Sequence, residues 1–375
     1  MLDSSRRNDT HGTSGAPCAH HASNASRDCG ARDTPEILLR FPSLARLGRV
    51  SFGAFPTPVE RVELPGARGP LWVKRDDLNA SGPCDVASAC AAGNKLRALE
   101  FLLAHVKPGD TVLALGGDGS THVMATVVLA HRLGARARAI RWPHEMNETA
   151  RLVDRRAREM ADDVRRERGP VRAVVRGWLA TRRTREPART WWVPPGGASP
   201  LGMLGAVNAG LELAGQVTRG LLPAPAHVVL PLGTGGTAGG LALGFAIAGL
   251  DTQVLGVRVV PRIMANEWRV RRLAHRCARL IARATGSRIP RVAPRGIRVV
   301  HRFYGGAYGR PLGAAQEVRR EFERATGVLL DETYGAKAFA AAAELAQTTD
   351  TATLYWLTFD ARCVSERSVQ SMSLP

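Results

Sequence analysis

From Leu221 to Leu250 the chain carries no Asp, Glu, Lys or Arg, enough residues to cross a bilayer as one helix. Pro223, Pro225 and Pro231, with the run Gly233-Thr234-Gly235-Gly236-Thr237, break that segment into strand, turn and helix. What remains is a βα unit apolar throughout: a strand at His227–Leu232, a glycine-rich turn, and a helix from Ala238. A strand and helix this apolar must be covered on every side, which is the signature of a layered α/β protein with a parallel sheet.

The rhythm recurs elsewhere. Thr111 to Leu115 reads as a buried strand, Gly116–Ser120 as a turn, Thr121 to Leu133 as a helix and Arg138 to Arg141 as another strand. Leu71-Trp72-Val73-Lys74 predicts a short strand, followed by the polar turn Arg75-Asp76-Asp77 and a Ser/Gly/Pro/Cys loop to Gly93. A helix then opens at Asn94, a residue suited to cap it, with Leu96, Leu99, Leu102 and Leu103 on its apolar face. Around Val270 a further helix predicts a buried stripe of Val270, Leu273, Ala274, Cys277, Leu280 and Ile281, with arginines outside. Residues 1 to about 34 are polar and without period, and are expected to be a flexible tail. Residues 151–190 hold thirteen arginines against six acids and predict a solvated helical stretch with a basic face.

The net charge of +19 raises the question of a nucleic-acid partner. Only Lys74, Lys95, Lys107 and Lys337 are lysine, so 48 of the 52 basic residues are arginine. A skew of that kind reflects coding bias more than a selected basic patch. No zinc-ligand spacing, RNA-binding aromatic motif or helix-turn-helix pattern accompanies it, and nucleic-acid binding is the lesser reading. Six cysteines with no CxxC pair read as free thiols in a reducing compartment, and no metal site is expected. The N-terminus lacks an apolar signal core, so a cytoplasmic protein without a membrane anchor is the expectation.

Three segments could carry chemistry. In Gly93-Asn94-Lys95-Leu96-Arg97 a lysine stands at the mouth of a helix, where the N-terminal field disfavours the ammonium and eases loss of its proton. That is what an amine needs if it is to condense with a carbonyl. The turn Gly233–Thr237 can bring backbone N–H groups against a phosphate, with Thr234 and Thr237 adding hydroxyls. It lacks the lysine of a Walker loop and the spacing of a dinucleotide fingerprint, which leaves a smaller phosphorylated cofactor. The loop Gly116-Gly117-Asp118-Gly119-Ser120-Thr121-His122 can hold a carboxylate through N–H groups and the Ser120 and Thr121 hydroxyls.

Together these segments resemble the D-cysteine desulfhydrase / 1-aminocyclopropane-1-carboxylate (ACC) deaminase family of pyridoxal-phosphate (PLP) enzymes. Ala92–Glu100 resembles its G-G-N-K motif, Gly116–His122 its G-G-x-x-S-N-H loop, and Gly233–Thr237 its phosphate cup. Pro195–Gly202 and Leu330–Ala338 are similar to two further motifs, in the family's order, from about Thr57 to Phe359. The resemblance implies an α/β, two-domain tryptophan-synthase-β-like fold (fold type II) with mostly parallel sheets flanked by helices. It places a large domain at 35–95 and 200–375 and a small one at 96–199. It implies a Schiff base on Lys95, phosphate held by Gly233, Thr234, Gly235, Gly236 and Thr237, and Asn94 beside the cofactor. Ser120 would lie by the substrate carboxylate or amine, Thr121 by the phenolic oxygen, Tyr308 and Tyr334 toward substrate, and Thr358 at the pyridine nitrogen. Lys337 reads as structural. The activity implied is α-proton removal by Lys95 and β-elimination from a small amino acid, giving a 2-oxo acid and ammonia, in a homodimer. Racemisation or another deamination is the nearest alternative; a PLP-holding non-enzyme or a basic nucleic-acid binder is the more distant one. Thr121 replaces the family's usual Asn, and Leu357-Thr358-Phe359 a commoner His-Thr-Gly. Gly335 follows Tyr334 where ACC deaminases carry Glu, which argues against opening of a cyclopropane ring.

Overall fold

The computed structural model describes residues 34–80, 86–182, 189–308, 310 and 312–364. The tail expected at 1–34 lies outside them except for Thr34. Among the described residues are ten strands: β1 (Val59–Val62), β2 (Leu71–Arg75), β3 (Thr111–Gly117), β4 (Arg136–Trp142) and β5 (Asp163–Arg166), then β6 (Thr190–Val193), β7 (His227–Leu232), β8 (Gln253–Arg258), β9 (Ile297–Val300) and β10 (Thr353–Leu357). They form a six-stranded sheet in the order β1-β2-β10-β7-β8-β9 and a four-stranded sheet in the order β5-β4-β3-β6. Only the β1–β2 pair is antiparallel. Helices supply the crossovers that parallel neighbours require.

β10 lies between β2 and β7 and is buried along its whole length, Tyr355 and Trp356 included. Such a strand has no solvent face, which is why it reads as a continuous apolar run. The charge-free segment is β7 followed by a helix at Gly236–Ala248, which opens two residues before the expected Ala238 because the turn's own glycine enters the first helical turn.

Several expectations are corrected. The loop before Gly93 contains a short helix, Val86–Ala91. Residues 151–190 are not one solvated helical stretch: helices Glu148–Met160 and Pro170–Thr181 flank β5, and β6 begins at Thr190. Both strands are edges of the smaller sheet and only four residues long, and β5 (Asp163-Val164-Arg165-Arg166) carries charges that an edge strand tolerates and that mask its period. Arg156 on the first of these helices is buried. The helix Glu267–Thr285 buries its stripe as expected, except that Leu280 is only half-buried. Asn94 does not cap its helix. Gly93 is the capping residue, and the Asn94 side chain instead donates to the Thr237 hydroxyl at 2.8 Å.

The Lys95 helix (Asn94–Leu102) is tied down by a buried charge cluster. Arg97 bonds both oxygens of Asp76, just past β2, at 2.7 and 2.9 Å, and reaches Glu212 of the helix Met203–Thr218 at 2.8 Å. Lys74 of β2 donates to Glu212 at 2.6 Å and Gln216 at 2.7 Å, and Trp356 of β10 donates to Asp76 at 2.7 Å. Burial pushes the Glu212 carboxyl up, but Arg97 and then Lys74 outweigh it and hold it at about 2. Burial, aided by the nearby Arg97 charge, pulls Lys74 down against the opposing pull of Glu212 and Asp76; Glu212, Gln216 and the Thr57 carbonyl all accept from Nζ.

Removing one member of such a cluster leaves an uncompensated buried charge. Glu212→Gln is expected to cost about 3–5 kcal/mol in urea unfolding at pH 7. Because the folded carboxyl titrates below its unfolded value of about 4.3, its contribution is present above that pH and lost as the pH falls toward about 2. The variant should therefore lose less stability than wild type across that window; a loss under about 1 kcal/mol at pH 7 would contradict the assignment.

Candidate active site

One cavity gathers residues from both sheets. Its walls include Asn94 and Lys95 at the helix mouth, Gly116, Gly117, Ser120, Thr121 and His122 after β3, Gly233 and Thr234 after β7, and Thr358 after β10. Tyr308 and Tyr334 complete its polar lining. Strand ends and helix starts converge here because in parallel α/β sheets the loops at the carboxyl ends of strands surround a common crevice. Of the residues expected at the site, Lys95, Ser120, Tyr308, Tyr334, Asn94, Thr121, Gly233, Thr234 and Thr358 line this cavity, while Gly235, Gly236 and Thr237 stand behind it in the turn and first helical turn.

Lys95 owes its placement to Gly93. That residue adopts φ +115°, and a Cβ there would come 2.2 Å from the Thr358 carbonyl oxygen. Its own N–H and C=O are clasped by the Asn79 amide, both at 2.9 Å, and the Asn94 N–H donates to the Thr358 carbonyl at 3.1 Å. The lysine is thus pinned against the end of β10. No carboxylate among the described residues pairs with it, and burial pushes its amine down to about 8. Such an amine gives up its proton readily near neutral pH.

The turn after β7 has the form of an anion cup. Gly235 takes the left-handed conformation at φ +90°, no side chain caps the helix it starts, and open space lies beside Gly233. Orphan N–H groups of a first helical turn beside a cavity suit a phosphate. The Thr237 hydroxyl accepts from Asn94, so its own hydrogen remains to be donated. A deprotonatable lysine and a phosphate cup on one cavity fit PLP.

The remaining polar groups are neutral. Burial, and then the nearby Lys95 amine, push His122 down to about 3; its Nε2 donates to the Pro194 carbonyl at 3.1 Å, leaving a buried Nδ1 without a partner. Burial raises Tyr308 and Tyr334 above their ordinary value; their hydroxyls bond each other, and Tyr334 also bonds Thr121. Both stay protonated and can donate. Asp331 holds Tyr334 in place by accepting from its N–H at 2.7 Å. Lys337 is not in the cavity wall and instead donates to the Tyr304 carbonyl at 3.0 Å.

Four lining residues fall in no segment singled out from the sequence: Trp142, His144, Val260 and Met264. His122 sits inside a segment already suspected of binding. Trp142 is the last residue of β4 and His144 stands just beyond it; extending the expected strand one residue past Arg141 would have reached Trp142.

Residues 50–354 match the family model described as "Pyridoxal-phosphate dependent enzyme". A "Nocardicin C-9' epimerase" of Nocardia uniformis subsp. tsuyamanensis is 36% identical, covering 79% of this chain and 88% of its own. A "Putative 1-aminocyclopropane-1-carboxylate deaminase" of Pyrococcus abyssi is 30% identical over 82% of this chain and 89% of its own. A "D-cysteine desulfhydrase" of Salmonella paratyphi A is 29% identical over 81% and 88%. Among solved structures, an "ACC deaminase homologue" superposes with a TM-score of 0.69 at 25% identity, covering 91% of this chain and all of that one.

The electrostatics of Lys95 can be measured directly. In cofactor-free protein with 13C-methylated lysines, its NMR titration should have a midpoint near pH 8; a midpoint near its ordinary 10.5 would show that burial does not act on it.

Proposed function

We propose that this chain, which belongs to the pyridoxal-phosphate dependent enzyme family, is a lyase/deaminase that removes the α-proton of a small amino acid and eliminates its β-substituent, releasing a 2-oxo acid and ammonia. The observation that carries this reading is Lys95: a buried amine without a carboxylate partner, lowered to about 8, on the same cavity as an uncapped glycine-rich helix start. The names of the Pyrococcus and Salmonella relatives supply the reaction class.

When bound, PLP supplies a carbonyl for an amine to condense with and a conjugated ring that withdraws charge from the substrate's α-carbon. The protein does the rest. N–H groups of the Gly233–Thr237 turn, with the Thr234 and Thr237 hydroxyls, would hold the phosphate. Lys95 Nζ would hold the cofactor and, once released, take the proton from the α-carbon. A positioned base with pKa near the working pH suits that transfer. Ser120 and the loop beneath it would hold the substrate carboxylate. Thr121, bonded to Tyr334, would set the hydroxyl partners of the phenolic oxygen. Thr358 would offer the ring nitrogen a neutral hydroxyl. Tyr308 and Tyr334, both protonated, would stand as donors on the substrate side. We read the active form as a homodimer in the cytoplasm; three described cysteines, Cys90, Cys277 and Cys363, are buried free thiols, which suits a reducing compartment.

Wild-type protein with PLP is expected to show a visible absorbance band that borohydride abolishes, and Lys95→Ala to lack it. With D- and L-cysteine, serine and β-chloroalanine as substrates, wild type should release 2-oxo acid and ammonia. Lys95→Ala should be slower by about 10²–10⁴-fold or more. A band without products, and with inversion at the α-carbon, would instead mark an epimerase, the activity in the name of the 36%-identical relative.

A further inference from the structure

His144 stands on the cavity wall just past β4, and the chemistry outlined above leaves it without a task. Its surroundings fix its protonation. Trp142 Nε1 lies 3.2 Å from His144 Nε2, and an indole nitrogen can only donate. Nε2 must therefore accept, and the single proton of the neutral ring sits on Nδ1. Burial favours that neutral form. The Nδ1 atom is itself buried and has no hydrogen-bond partner. A buried donor left unpaired is costly, and in native structures such a group calls for a specific reason.

The position of the ring supplies one. Its neighbours are Gly117, where a Cβ would come 2.3 Å from Nδ1, and the Tyr308 ring at a centroid distance of 4.6 Å. Both belong to the side of the cavity assigned to substrate, and neither to the phosphate cup. The absence of a side chain at Gly117 leaves room for the imidazole.

We propose that His144 is a specificity-determining residue whose Nδ1–H donates to an acceptor atom in the substrate's side chain, so that the site selects small amino acids bearing such an acceptor over hydrocarbon ones. This rests on the reading of the cavity as an amino-acid site. The tautomer set by Trp142 makes His144 a donor only, so the selected group is an oxygen or another acceptor and not an N–H.

The test compares two amino acids that differ by one atom, O-methylserine and norvaline, in both enantiomers. Their affinities are read from the absorbance change of the PLP-loaded protein, in wild type and in His144→Phe, which keeps a ring beside Tyr308 but has no donor. The preference of wild type for O-methylserine relative to norvaline is expected to fall about tenfold in His144→Phe, and His144→Gln, which retains an N–H, should restore part of it. An unchanged ratio would overturn the proposal, as would an equal loss for both ligands, which would make the ring a mere support for Tyr308. If wild type holds PLP but responds to no amino acid, the reading of the cavity as an amino-acid site fails, and the proposal with it.

Discussion

The bidentate pair between Arg97 and Asp76 is the contact on which the site depends. Lys95 and Arg97 are two residues apart on one helix, so their side chains leave it about 200° apart. One faces the cavity and the other the core. Anchoring Arg97 therefore aims Lys95. The same Asp76 accepts from Trp356 of β10, and the same Arg97 reaches Glu212, so β2, β10 and the Met203–Thr218 helix all close on this one guanidinium. Two cations, Lys74 and Arg97, meet two anions, Asp76 and Glu212. Each has more than one partner, and without them the desolvation cost of buried charge would exceed the Coulombic gain. A hydrophobic substitute could fill the same volume, but it would not lock the helix's rotation in the way a planar fork does.

The loop that bears Ser120 is set by a second network of charges. Asp118 pairs with Arg141 at 3.1 Å and Arg166 at 2.9 Å, while Asp154 pairs with Arg141 and accepts from the Gly119 N–H at 3.3 Å. Here part of the arginine surplus has a structural use. Arg141 comes from β4, Arg166 from β5 and Asp154 from the intervening helix, so the smaller sheet holds the loop from beneath. One network fixes the lysine and the other the loop expected to hold the substrate's carboxylate.

The parts legible in the sequence are those where backbone chemistry leaves little choice. The glycine-rich turn at 233–237, the strand before it and the uncharged helix after it could be read because few other folds accept thirty residues without charge. Lys95 could be read because a lysine after Gly-Asn at a helix start is rare in a chain with four lysines. The capping role assigned to Asn94 failed for a physical reason. A cap is the residue with non-helical dihedrals, and only the tertiary clasp of Gly93 by Asn79 and Thr358 decides that it lies one position earlier. β5 and β6 escaped notice because a four-residue edge strand can be recognised only by its neighbour in the sheet. Trp142 and His144 escaped for a similar reason: nothing local distinguishes them until β3 and β4 are paired and their carboxyl ends meet over Gly117.

The charge balance of the cavity separates the chain's overall basicity from its chemistry. None of its 48 arginines lines the cavity among the described residues, and neither does any carboxylate. The titratable groups that do are a lysine lowered by burial, two histidines pushed toward neutrality and two tyrosines held protonated. Fixed charge is thus nearly absent, and the anions expected here, a phosphate and a carboxylate, would be met by N–H groups, hydroxyls and helix N-termini. Dipoles of that kind are oriented before the ligand arrives and need little reorganisation. They also leave the lysine amine without a permanent counter-ion, so its proton can move between nitrogen and carbon. An arginine at the cup would tighten phosphate binding but push the amine's pKa further down. A carboxylate beside Lys95 would raise it and hold the proton on nitrogen. The surplus of +19 can drift over the outer surface because this cavity, walled by glycine, hydroxyl and aromatic residues, is the part of the fold where a charged substitution would alter the reaction itself.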